Sequence, residues 1–247
     1  MNNIYLYDGK FSSLLGLIVT LLDSKDIIIK EEKNYIDNLL DVPVYLRIEE
    51  KEEKIKFLKN NLSNKIIHII EYAFLSDNKD KETIIYKFIK EVFKYKDEVI
   101  YHRNLKCVNE ILNMSNYVSR EAHRMKGFLR FKKMKNNFYY AEMSSTNNII
   151  SILANHFKRR LINEYFIIKD VKRKIYALYD KKKIYYFNEE NIVKLNLDLN
   201  NNEEEIINLW KSFFNTIGIK ERKNLKCQMN FMPKKYWKYI IEMDDNI

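Results

Sequence analysis

The sequence predicts an α+β fold: a central, largely antiparallel sheet flanked by N- and C-terminal helices. Three observations carry that expectation. Segments with apolar residues at helical spacing dominate the first half of the chain. Short runs rich in Tyr, Ile and Phe, separated by charged turns, fill the stretch from Phe128 to Phe187. Helical periodicity then returns from Glu203 onward. Helices, then strands, then helices is the order of an architecture that segregates its two kinds of element. No Pro/Gly/Ser-rich linker or internal repeat divides the 247 residues. Residues 1–247 are therefore expected to form a single α+β domain, long enough to bury a sizeable core.

The elements follow in order. Ile4 to Tyr7 reads as a strand, Asp8-Gly9 as a turn, and Phe11 to about Leu22 as a helix. Pro43 precedes a strand, Val44 to Ile48, and Glu49 to Lys54 reads as a charged, solvated stretch. Asn64 to Leu75 sets Ile66, Ile69, Ile70 and Ala73 on one helical face and leaves His68 opposite it. Lys81 to Tyr95 and Val108 to Met125 are two more amphipathic helices, with Gly127 as the expected stop of the second. Phe128 to Met134 and Phe138 to Met143 flank Lys135-Asn136-Asn137, a hairpin signal. A helix from about Asn147 to Glu164 precedes three strands: Tyr165 to Lys169, Lys174 to Tyr179 and Lys183 to Phe187. Helices are expected again over Glu203 to Ile217 and about Pro233 to Met243, with Pro233 in a first turn. Helical spacing assigns Trp210 and Trp237 to the core.

Composition excludes several classes. An apolar fraction of 46% is too high for a disordered chain, and 4 Gly with 2 Pro exclude collagen-like and low-complexity sequences. Two cysteines, Cys107 and Cys227, make neither a disulfide scaffold nor a Cys-ligated iron–sulfur cluster within one chain. The longest near-apolar run, Leu14 to Leu22, is too short to span a bilayer. Asp8 stands where a signal peptide needs a basic region. A cytoplasmic protein is expected.

The formal charge is +10, and it is local. Arg120 to Lys183 holds 17 Lys+Arg against 5 Asp+Glu, a net +12, which leaves the remainder slightly acidic. Six of the nine arginines lie in this stretch: Arg120, Arg124, Arg130, Arg159, Arg160 and Arg173. One explanation of the charge is an AT-rich codon bias, suggested by a chain crowded with Ile, Asn and Lys, in which surface lysine would be filler. Arginine kept against that bias points to a need for a planar bidentate fork, for phosphate, carboxylate or a buried ion pair.

Two helical segments gather chemistry. His123 falls at the edge of an apolar stripe, with Arg120 and Arg124 on the neighbouring face and Lys126, Arg130 and Lys132 following. His156 and Arg160 stack four apart on or beside the apolar face of the next helix, where Arg160 needs either a cleft or an ionic partner such as Glu164. Asp170-Val171-Lys172-Arg173 lies at a turn, where an Asp commonly binds its own backbone. No phosphate-binding glycine loop, dinucleotide fingerprint or zinc-deaminase pattern is present, so no cofactor is expected. His123, His156, Cys107 and Cys227 have no ligand-type spacing, and no metal is expected. The C-terminal aromatics around Trp210 and Trp237 are interleaved with lysines, a pattern that also suits nucleic acid.

Taken together the segments resemble a known family. They are Tyr5 to Gly9, Glu121 to Phe131, His156-Phe157 with Arg160, Asp170 with Arg173, Leu209-Trp210, Glu221-Arg222 with Asn224, and Met232-Pro233 with Tyr236-Trp237 and Glu242. In this order they resemble a bacterial family of unknown function labelled as DNA metabolism or DNA repair proteins. Members of that family are paired with a DNA-repair radical SAM protein, and some look to be fused to a uracil-DNA-glycosylase-like domain. The resemblance implies a nucleic-acid-binding component of a DNA repair or modification system with a radical SAM partner. Its DNA-binding residues would be Arg120, Arg124, Lys126, Arg130, Lys132, Arg159 and Arg173, and Glu121, Asp170, Arg222 and Asn224 would be further motif positions. Two alternatives stand beside it. One is a nucleic-acid-processing enzyme with His123 and His156 as acid–base groups and Arg160 stabilising anionic charge. The other is a non-catalytic adaptor for an acidic protein.

Overall fold

The computed structural model describes residues 3–24, 27–35, 42–45, 51–191, 198–222 and 224–246. The chain divides into two compact units, Met1–Ser119 and Arg120–Ile247.

The first unit holds a three-stranded sheet of β1 (Asn3–Tyr7), β2 (Ile27–Glu31) and β3 (Val42–Tyr45), in the order β2-β1-β3. Both pairings are parallel. Parallel neighbours need a crossover, and α1 (Phe11–Thr20) supplies the one between β1 and β2. The turn before α1 requires glycine: Gly9 has φ +76°, and a Cβ there would lie 2.5 Å from Glu31 Oε1. Helices α2 (Lys51–Asn61), α3 (Asn64–Phe74) and α4 (Lys81–Tyr95) follow. Leu14, Ile18, Ile29, Ile66, Ile70, Ile85 and Phe88 form the buried centre of this unit. The Ser63 hydroxyl caps α3 by accepting from the Ile66 N–H at 3.3 Å.

Strand β2 was not expected, because Ile27-Ile28-Ile29 is too short a run to show a period. The expected strand Val44 to Ile48 appears as Val42–Tyr45, with residues 46–48 outside the described residues. The stretch read as solvated, Glu49 to Lys54, is helical from Lys51, and residues 49–50 lie outside the described residues.

Helix α5 (Lys106–Phe128) begins in the first unit and ends in the second. It does not stop at Gly127. The Leu129 N–H still bonds the Met125 carbonyl at 3.0 Å, so the strand expected from Phe128 contracts to β4 (Lys132–Lys133).

The second unit is built on five strands in sequence order: β4, β5 (Tyr139–Met143), β6 (Phe166–Asp170), β7 (Ile175–Tyr179) and β8 (Ile184–Asn188). The α+β class holds, but not as one largely antiparallel sheet. The first sheet is parallel throughout. The second is antiparallel except at β5–β6, which is parallel. Helix α6 (Ile150–Arg160) explains the exception, because it carries the chain from the end of β5 back to the starting edge for β6. One face of this sheet packs Phe166, Ile168, Ala177 and Tyr179 toward α6, whose Leu153, Ala154 and Phe157 are buried.

After β8 come α7 (Glu203–Ile217), α8 (Leu225–Phe231) and two 3₁₀ segments, Lys234–Tyr239 and Ile241–Asn246. The last two replace the α-helix expected over Pro233 to Met243, and Pro233 precedes the first of them in an extended conformation. Trp237 is in the core, as expected, and its Nε1–H bonds the Met232 carbonyl. Trp210 is not: it is 41% exposed, on a flank of α7 with Ile206, Leu209, Phe213 and Ile217. Among the described residues no apolar side chain of α7 is buried, so helical spacing alone overstates burial. Among the described residues, no helix is long and apolar enough to cross a membrane.

Candidate nucleic-acid interface

The parallel pair β5–β6 places two loops at one end of the sheet, Ser144 to Asn148 before α6 and the turn after Asp170. Carboxyl ends of parallel strands are where such folds form ligand sites. The Ser144–Asn148 loop is clamped from three sides. From α5, buried Glu121 accepts the backbone N–H groups of Thr146 and Asn147, each at 2.8 Å, and the Asn147 side-chain amide at 2.7 Å. The Tyr236 hydroxyl donates to the same carboxylate at 2.7 Å. From the β6–β7 turn, the Arg173 guanidinium donates to the Ser145 carbonyl at 3.2 Å and to the Thr146 carbonyl. From the C-terminal segment, Lys235 reaches the Thr146 hydroxyl at 2.8 Å.

The electrostatics of this clamp are consistent. Burial pushes the Glu121 carboxyl up, but the hydrogen bonds from Asn147, Thr146 and Tyr236 outweigh it and hold the group below its ordinary value. Glu121 is therefore ionised at neutral pH. Asp170 is wholly buried, accepts its own turn's N–H groups from Lys172 and Arg173, and pairs with the Arg173 side chain at 3.1 Å. The turn role expected for Asp170 is what the structure shows.

Beside the clamp lies a run of unpaired cations. Glu121 meets the start of α6, and Lys126, further along α5, acts electrostatically on His156 in the middle of α6. Arg120, His123 and Arg124 are exposed on α5, and Arg159 and Arg160 are exposed at the end of α6. None of the four arginines has a hydrogen bond or ion pair among the described residues. His156 sits edge-on to Phe157 at 4.9 Å. Burial first, then Lys126, Arg160 and Arg159, hold its imidazole below the ordinary value, so it is neutral at pH 7.

The other candidates are placed differently. Arg130 forks onto Glu242, 112 residues away, and also donates to the Gly127 carbonyl at 2.7 Å. Glu242 also accepts from the Trp210 indole at 3.1 Å. Burial raises the Glu242 carboxyl, but Arg130 above all brings it below its ordinary value. Arg130 is thus an internal fork, and so is Arg173. Lys126 and Lys132 are half-buried, and Arg222 is exposed. Asn224 caps α8, accepting from the Cys227 N–H at 3.0 Å. Arg160 and Arg173 are not brought together. Arg173 holds the loop before α6 and Arg160 ends that helix, about 16 Å away along its eleven residues. Among the described residues, no hydrogen bond or ring contact joins His123 to His156, and no three metal-ligating side chains cluster.

Reading the sequence missed the Ser144–Asn148 loop and Lys235. The run Ser-Ser-Thr-Asn-Asn between an apolar strand and an apolar helix was a visible loop signal. Nothing local marks Lys235, whose contact lies 89 positions away.

No curated protein matches the chain. Residues 79–242 match DUF4130, a domain of unknown function. The match takes in the clamp, the cation run and the Arg130–Glu242 fork. With about two thirds of its length covered, the chain belongs to the DUF4130 family.

Proposed function

We propose that this protein is a nucleic-acid-binding component of a DNA repair or modification system, working beside a radical SAM protein that carries the redox chemistry. One observation carries the binding reading: Arg120, Arg124, Arg159 and Arg160 are exposed and, among the described residues, unpaired along α5 and α6. The same stretch carries a net +12, and its two other arginines are taken up inside the unit. A guanidinium without a carboxylate partner keeps its donor fork for phosphate oxygens. The clamp beneath gives these cations a rigid base, because it ties the end of α5 to the loop that starts α6. The resemblance to DNA repair proteins supports DNA as the nucleic acid and the radical SAM protein as the partner.

The test is binding of the full chain to labelled single- and double-stranded DNA across a salt series. Four phosphate contacts lose roughly 100-fold in affinity between 50 and 200 mM salt on a duplex, because each releases condensed counterions. Absence of binding to both DNA forms at low salt overturns the reading.

A further inference from the structure

We infer that the face of β6, β7 and β8 turned away from α6, with the β7–β8 turn at its edge, forms a stacking platform for unpaired bases, so that the nucleic acid bound is single-stranded or locally opened. The inference rests on the nucleic-acid reading and adds a strand preference to it.

Two segments distant in sequence meet there. The Tyr179 hydroxyl donates to the Ile162 carbonyl at 3.2 Å, which joins the end of β7 to the loop after α6. The Lys181 ammonium lies 4.4 Å from the centre of the Tyr165 ring, and Lys158 lies 5.9 Å from that of Tyr179. The turn that carries Lys181 also carries Lys182 and Lys183. The one carboxylate in the turn, Asp180, is already engaged. It accepts the N–H groups of Lys182 and Lys183 at 2.8 and 2.6 Å and the Tyr185 hydroxyl.

The aromatic groups are presented rather than buried. Tyr165 is 48% exposed and Tyr185 is 42% exposed. The pairing register sets Phe166 opposite Tyr179 and Leu178 opposite Tyr185. Tyr165 and Tyr185 therefore share the sheet face opposite α6, two strands apart and offset by two residues along them, roughly 12 Å in all. A sheet face with separated, half-exposed rings and a cationic border is the chemistry that stacks successive unpaired bases while holding their phosphates. In a duplex the base faces are covered by their neighbours, so the rings add affinity only where bases are unstacked.

The experiment uses fluorescence anisotropy of the full chain with a labelled 15-nucleotide oligothymidine and with a labelled hairpin duplex. The wild type should prefer the oligothymidine. Y165A/Y185A should lower the ratio of single-strand to duplex affinity by about 30-fold or more, from two lost stacking contacts. Y165F/Y185F, which restores both rings, should recover most of that ratio. If the alanine pair does not fold, as judged by circular dichroism, each single alanine variant should still lower the ratio by at least about fivefold. An unchanged ratio in folded alanine variants, or a wild type that prefers the duplex, overturns the platform and leaves the cation run standing. A wild type that binds neither DNA overturns both.

Discussion

Glu121→Gln tests the clamp that organises the site. The carboxylate accepts four hydrogen bonds, two on each oxygen: Thr146 N–H and Tyr236 Oη–H on one, Asn147 N–H and its side-chain amide on the other. Glutamine keeps one acceptor oxygen and turns an NH₂ toward the other pair of donors. Two charge-assisted bonds are lost and two buried donors face a third. At about 1.5–3 kcal/mol per bond to a charged group, with some relaxation, the variant should be less stable by about 3 kcal/mol. For a chain of this size that lowers Tm by about 10 °C, readable by circular dichroism at pH 7. The sign of the pH dependence follows from the depressed carboxyl. Its stabilisation is full above the ordinary value of 4.5 and is lost as pH falls through the lower folded value. The gap between wild type and variant should therefore narrow on acidification below that point. A Tm drop under about 3 °C at pH 7, or a gap that widens in acid, would refute the reasoning.

Three further outcomes are expected. Arg120→Ala with Arg124→Ala should reduce the salt slope of duplex binding by about 2 and leave Tm within about 2 °C, since neither side chain has a partner among the described residues; an unchanged slope removes them from the interface. His156 should titrate below the ordinary imidazole value of 6.5 in the free protein, and its pKa should rise when DNA offsets Lys126, Arg159 and Arg160. With a folded value below the unfolded one, His156 favours the folded state least in acid, so its contribution is lost as pH drops from 6.5 through the folded value; proton NMR of the ring decides the matter, and a value above 6.5 refutes it. Glu242→Gln should release both the Arg130 fork and the Trp210 indole, costing about 2 kcal/mol and shifting Trp210 fluorescence, whereas unchanged emission would contradict the shared acceptor.

Much of the fold was legible because its signals are local. The 3.6 period of Asn64–Phe74, Lys81–Tyr95 and Glu203–Ile217 follows from backbone geometry within each segment, and the structure keeps those bounds to within a residue. The β6, β7 and β8 runs were equally clear from their aromatic and branched residues and intervening turns. Pairing direction was less accessible. A helix between β5 and β6 implied a parallel pair, yet the dense hairpin signals around it suggested an antiparallel sheet.

The site divides along the same line. From the sequence alone came the basic stretch, the concentration of arginine within it, and the turn role of Asp170. Those depend on composition and on groups two or three positions apart. Tertiary structure alone decided which cations are available. Arg130 and Arg124 look alike in the sequence, but Glu242 arrives from 112 positions away to occupy the first, and among the described residues nothing arrives at the second. Tyr236 reaches Glu121 across 115 positions, and Lys181 comes to lie over Tyr165 through the β7–β8 turn. A side chain's charge is set by its covalent chemistry, but whether that charge faces a partner or water is set by what the rest of the chain packs against it.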